Sequence, residues 1–98
     1  MCGAKTGGLS LEGVDVDNES IIQGVVVRGD APVNGAYVRL LDRTGEFTAE
    51  VPTSATGHFR FFAAPGAWTL RTLAPRSEPL DRQVVASKGG VAEITVAL

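Results

Sequence analysis

Residues 57–70 read Gly57-His58-Phe59-Arg60-Phe61-Phe62-Ala63-Ala64-Pro65-Gly66-Ala67-Trp68-Thr69-Leu70. Phe59, Phe61 and Ala63 alternate with Arg60 and Phe62, the period of two that marks a strand with one buried face. Pro65 and Gly66 then supply a fixed φ and a positive φ for a tight turn. Beyond it Trp68 and Leu70 share the face of a second strand. This stretch holds four of the six aromatic residues of the chain, so the core is centred here.

The same grammar runs outward in both directions. Ile21 to Val27 is nearly continuous apolar and β-branched, broken only by Gln23 and Gly24, as in a central strand. Ala36, Val38 and Leu40 alternate with Tyr37, Arg39 and Leu41. After Asp42-Arg43-Thr44-Gly45, Phe47, Ala49 and Val51 are expected to face inward, and Thr48 and Glu50 outward. Residues 74–81, with Pro75 and Pro79, form the longest irregular segment. Gln83 to Ala86 and Val91 to Leu98 are expected to pair through a hairpin loop at Lys88-Gly89-Gly90. No window long enough for a helix lacks a glycine or proline. The expectation is an all-β, seven-stranded antiparallel β-sandwich of Ig-like form over residues 20–98, preceded by a flexible acidic, Gly-containing N-terminal arm at 1–19.

Composition narrows the function. At 98 residues, 44% hydrophobic, 20% charged and net charge −2, the chain has the make-up of one globular domain. The single Cys2 leaves no internal disulfide and no multi-cysteine zinc site, so no metal or other cofactor is expected. The acidic balance, concentrated as −3 in residues 1–20, argues against nucleic acid. The absence of any long apolar run argues against a membrane span, and cytoplasmic residence is the default.

The runs Ile22-Gln23-Gly24-Val25-Val26, Val33 to Leu40, Ala55 to Phe61 and Ala64 to Leu70 resemble the carboxypeptidase regulatory-like family, which implies a prealbumin-like sandwich. Met1-Cys2, Ala36 to Asp42, Glu46 to Val51 and Gly57 to Gly66 are similar, over nearly the whole chain, to a small actinobacterial family of unknown function. That family is associated with sulfur metabolism and encoded beside thiosulfate sulfurtransferases. This likeness implies a sulfur context and a thiosulfate sulfurtransferase as partner.

Candidate residues follow. Loss of Met1 would put the Cys2 thiol next to an ammonium that lowers its pKa, making it a sulfur acceptor on a glycine-rich arm; the competing reading is an unreactive terminal cysteine. Arg39, Arg60 and Arg71 point outward by parity and can hold an oxyanion on one sheet, or can instead form cross-strand pairs with acids such as Glu50. His58 is the single histidine, an auxiliary base or a surface turn residue. Trp68 and Tyr37 can stack a sugar, although Trp68 has core parity. Exposed Phe62 near Leu41, Leu73 or Val85 would mark a partner or dimer surface, unless residues 74–81 cover it. No nucleotide-binding glycine loop, nucleophile elbow or zinc-protease helix occurs. Hydroxyisourate hydrolysis needs several histidines and a Tyr-Arg-Gly-Ser type C-terminus, and this chain ends Ile94-Thr95-Val96-Ala97-Leu98. The expected role is a non-catalytic accessory or sulfur acceptor, not an enzyme on its own; the rival is a structural interaction module without thiol chemistry, and small-anion or carbohydrate binding is a minor option.

Overall fold

The computed structural model describes residues 20–98. The arm and Cys2 lie outside the described residues. The strands are β1 (Ile21–Arg28), β2 (Ala31–Pro32), β3 (Tyr37–Leu41), β4 (Phe47–Pro52), β5 (His58–Phe62), β6 (Gly66–Leu73), β7 (Leu80–Ala86) and β8 (Val91–Ala97). Seven of these are the expected strands, and two-residue β2 is an addition. It pairs Pro32 with Val27 and Ala31 with Arg28, a hairpin too short to show periodicity.

Two four-stranded sheets face each other. Sheet A has β1 at its centre, between β8 on one side and β5 with β2 on the other, and sheet B runs β4-β3-β6-β7. The expected period-two faces meet between them: Ile22 and Val26 of β1, Phe59 and Phe61 of β5 and Val96 of β8 pack on Val38, Leu40 and Leu70. Each fully buried side chain of this size contributes about 2 kcal/mol by leaving water. Sheet B is antiparallel throughout, whereas β1 and β8 run parallel, from Ile21 opposite Val91 to Val27 opposite Ala97.

That pairing corrects the expected final hairpin. β7 pairs with β6 in sheet B and β8 with β1 in sheet A, so residues 87–90 carry the chain from one layer to the other. A second correction concerns Phe47. The register shifts between Leu40 and Leu41, with Ala49 opposite Leu40 but Phe47 opposite Leu41. One extra residue in β4 reverses the parity beyond it. Phe47 therefore stands on the outer face, 61% exposed, while Ala49 and Val51 pack against the core.

Two close approaches fix neighbouring segments in place. Gly24 lies so near β8 that a Cβ there would fall on the Ile94 carbonyl oxygen. Buried Thr53 clamps the loop after β2, its Oγ1 donating to the Val33 carbonyl at 2.7 Å and accepting from the Ala36 N–H at 2.9 Å. At the open side of the sandwich Arg82, on edge strand β7, donates from Nη1 to the Thr95 carbonyl of β8 at 3.1 Å. A charged side chain at an inward register position also discourages another strand from pairing on that edge.

Candidate functional site

The outer face of sheet B is built in cross-strand rows. One row runs Glu50, Arg39, Arg71, Asp81 across all four strands. Two like charges directly opposite one another destabilise a sheet, and here each is drawn outward by an acid. Arg39 Nε donates to Glu50 Oε2 at 2.8 Å, and Arg71 donates from Nε and Nη2 to the two Asp81 oxygens at 2.9 and 3.0 Å. The forked hydrogen bond from Arg71, with its positive charge, holds the Asp81 carboxyl below the usual aspartate range, and the same contact raises Arg71.

Apolar groups flank this row. On one side Phe47 pairs with Leu41, and the Arg39 guanidinium carbon lies 6.0 Å from the Phe47 ring centroid, within range for a cation–π contact. On the other side Tyr37 sits opposite Leu73 and is 49% exposed. At the end of β3, Asp42 Oδ1 accepts from the Thr44 hydroxyl at 2.6 Å and from the N–H groups of Thr44 and Glu46. These bonds, the Thr44 hydroxyl first, pull the Asp42 carboxyl below its ordinary value and fix the turn into β4.

The expected arginine trio is therefore split. Arg39 and Arg71 are neighbours on sheet B, but Arg60 belongs to β5 of sheet A, because alternation within a strand gives the face and not the sheet. On sheet A, Arg60 Nε donates to Gln23 Oε1 at 2.9 Å and Gln23 Nε2 donates to Glu93 Oε2 at 3.1 Å. Gln23 is buried although its register position faces outward. In sequence it is only a break in an apolar run; a lone amide on the outward face that it shares with Ile21 and Val25 is the signal that marks it.

His58 opens β5 within a local network. Its N–H donates to Ser54 Oγ at 3.1 Å and its Nδ1 shares a hydrogen bond with Thr56 Oγ1 at 2.8 Å. This is the surface-turn reading, and any approach of Cys2 to His58 lies outside the described residues. Trp68 is half-buried against the core and donates Nε1–H to the Ala64 carbonyl at 2.8 Å, which spends its polar edge on its own turn. Phe62 is 55% exposed, but it stands on sheet A opposite Ile21, whereas Leu41, Leu73 and Val85 belong to sheet B. The apolar patch expected from those four is thereby divided between the two layers. Among the described residues, no three histidine, cysteine or acidic side chains gather as a metal site, and no helix is long and apolar enough to cross a membrane.

A family model described as protein of unknown function (DUF1416) matches residues 2–98. The chain belongs to the DUF1416 family. Its relatives include the uncharacterized proteins Rv0814c and Rv3118 of Mycobacterium tuberculosis, each 51% identical over 100 residues, covering all of this chain and 99% of the relative. Among solved structures, the sandwich is similar to the TIE protein of Bacillus anthracis, with a TM-score of 0.72 at 15% identity over 82% of this chain and 17% of that one. It is also similar to 5-hydroxyisourate hydrolase of Klebsiella pneumoniae, with a TM-score of 0.63 at 21% identity, covering 81% of this chain and 89% of that one. At these identities the likeness establishes a prealbumin-like fold for this DUF1416 member, and fold alone does not carry an activity.

Proposed function

We propose that this chain is a non-catalytic accessory protein of thiosulfate and sulfane-sulfur metabolism, which docks on a sulfurtransferase and accepts sulfur at Cys2. The observation that supports docking is the outer face of sheet B. There exposed Tyr37 and Phe47 flank a charge row whose side chains are fixed by paired carboxylates. Rigid aromatic and arginine side chains of this kind anchor protein interfaces. The sulfur context rests on the likeness of Met1-Cys2, Ala36 to Asp42 and Gly57 to Gly66 to the actinobacterial family encoded beside thiosulfate sulfurtransferases, and the same likeness supports such an enzyme as partner.

In the transfer the Cys2 thiolate attacks the outer sulfur of the enzyme's cysteine persulfide. The enzyme's S–S bond breaks, its thiolate leaves with the electron pair, and Cys2 becomes the persulfide, with no net oxidation. Intact mass before and after incubation with thiosulfate and the sulfurtransferase tests this. The expected result is a gain of one sulfur atom, removed by reductant, mapped to Cys2 and absent in Cys2→Ser, with the denaturation midpoint unchanged. Phe47→Ala is expected to slow loading without affecting the chemistry at Cys2. No gain, with a thiol that alkylates freely, overturns the acceptor role. The same exposed face would then favour the second reading, an interaction module whose partner binding survives deletion of residues 2–18.

A further inference from the structure

A cleft of about 300 Å³ opens at the end of the sandwich where β1 turns into β2, lined by Arg28, Pro32, Val33, Asn34, Pro75 and Arg76. Its volume is at the small end of ligand sites. Two of the lining side chains are guanidiniums, and neither forms an ion pair among the described residues. Every arginine–acid pair described on sheet B is compensated, so this end of the molecule differs in kind from the charge row.

Arg28 is held from behind. Its Nη2 donates to the Pro75 carbonyl at 2.6 Å and to Ser77 Oγ at 2.8 Å, which occupies two of the five N–H donors of the fork and leaves the others without an acceptor among the described residues. A guanidinium fixed through neutral groups has no neighbouring acid to offset it and loses rotational freedom, the arrangement that favours a planar carboxylate. Arg76 follows Pro75 directly, and its φ of 60° makes it the one described non-glycine residue in the left-handed region. That conformation is strained for an L-residue, and glycine would be free of it. Here the strained position carries an arginine, which brings the second charge to the cleft. Pro32, Val33 and Pro75 form an apolar wall, and the Asn34 amide adds a neutral donor.

We infer that this cleft binds a small organic carboxylate, whose charged end meets Arg28 and Arg76 and whose apolar part rests on the proline wall. The inference is independent of Cys2 and of the sheet B face. Benzoate titrated into the ¹⁵N-labelled full chain tests it, with neutral benzamide as the isosteric control. Saturable shifts are expected at the amides of Val33, Asn34, Arg76 and Ser77, with none from benzamide at the same concentration. Arg76→Gln is expected to weaken benzoate at least tenfold. Arg76→Gly is expected to weaken it equally while raising the denaturation midpoint, since it relieves the backbone and removes the charge together. Equal shifts from benzamide, shifts scattered beyond the cleft, or wild-type affinity in Arg76→Gln would each overturn the assignment. Arg28→Gln serves as a second variant; retained benzoate affinity in it also overturns the assignment, and a spectrum preserved away from the cleft shows that it is folded.

Discussion

Two buried threonines give opposite answers to the same substitution. Thr53 Oγ1 both donates and accepts within the loop clamp, so Thr53→Val strands a buried carbonyl and a buried N–H, at a cost of about 1–3 kcal/mol. Thr72 is fully buried between Val38 and Leu80 and its Oγ1 has no hydrogen-bond partner among the described residues. Replacing that hydroxyl with a methyl of similar size removes a desolvated polar group, and Thr72→Val is expected to stabilise by about 1 kcal/mol. Urea denaturation of the two variants side by side checks both signs; a destabilised Thr72→Val would mean that the hydroxyl is satisfied in solution. Gly24 belongs with them. Because its missing side chain leaves room for the Ile94 carbonyl, Gly24→Ala is expected to cost about 3 kcal/mol or more through forced separation of β1 and β8. Gly45→Ala, where a Cβ meets nothing within 4 Å among the described residues and only the positive φ is unfavourable, should cost about 1–2 kcal/mol.

Strand pairing also sets how acid acts on the molecule. The β6–β7 link between Arg71 and Asp81 depresses the folded-state pKa of Asp81, so its contribution to stability is present above the ordinary aspartate value and is lost as pH falls through the lowered one. Both side chains are more than 40% exposed, and water screens most of the effect. A small fall in thermal midpoint is therefore expected below about pH 4, reduced in Asp81→Asn; identical pH profiles would show that the pair is idle. At this scale most strands were legible, because period-two alternation reports burial directly, as in Phe59 and Phe61 or Val38 and Leu40. Three features were hidden for identifiable reasons. Leu80 to Arg82 look irregular because Pro79, Asp81 and Arg82 interrupt the apolar pattern at a sheet edge. A single bulged residue reverses Phe47 with no mark in composition. Lys88-Gly89-Gly90 has the same turn chemistry whether the chain stays in its sheet or crosses to the other. The arginine trio failed in the same way: parity placed all three outward, but only pairing shows that Arg60 belongs to the other layer, and the acid that engages Arg71 lay in the segment read as irregular.

For the molecule as a whole, the connection that closes the sandwich is also the longest in sequence, since Ile21 pairs with Val91. Sheets dominated by such distant partners fold slowly for their size, in milliseconds to seconds, and the described fold is not complete until its last strand is in place. The parallel direction of that strand has a mechanical consequence. Force applied at Ile21 and at Leu98 would pull β1 and β8 past each other along their lengths. The seven paired positions from Ile21–Val91 to Val27–Ala97 would then be loaded together in shear rather than peeled open one after another. Single-molecule stretching through these ends is expected to show one abrupt rupture at high force. Attachment at Ile21 and Val91, which are neighbours at the same end, should open the same two strands like a zipper at far lower load. The first and last strands of this sandwich thus form a clasp whose strength depends on the direction from which it is pulled.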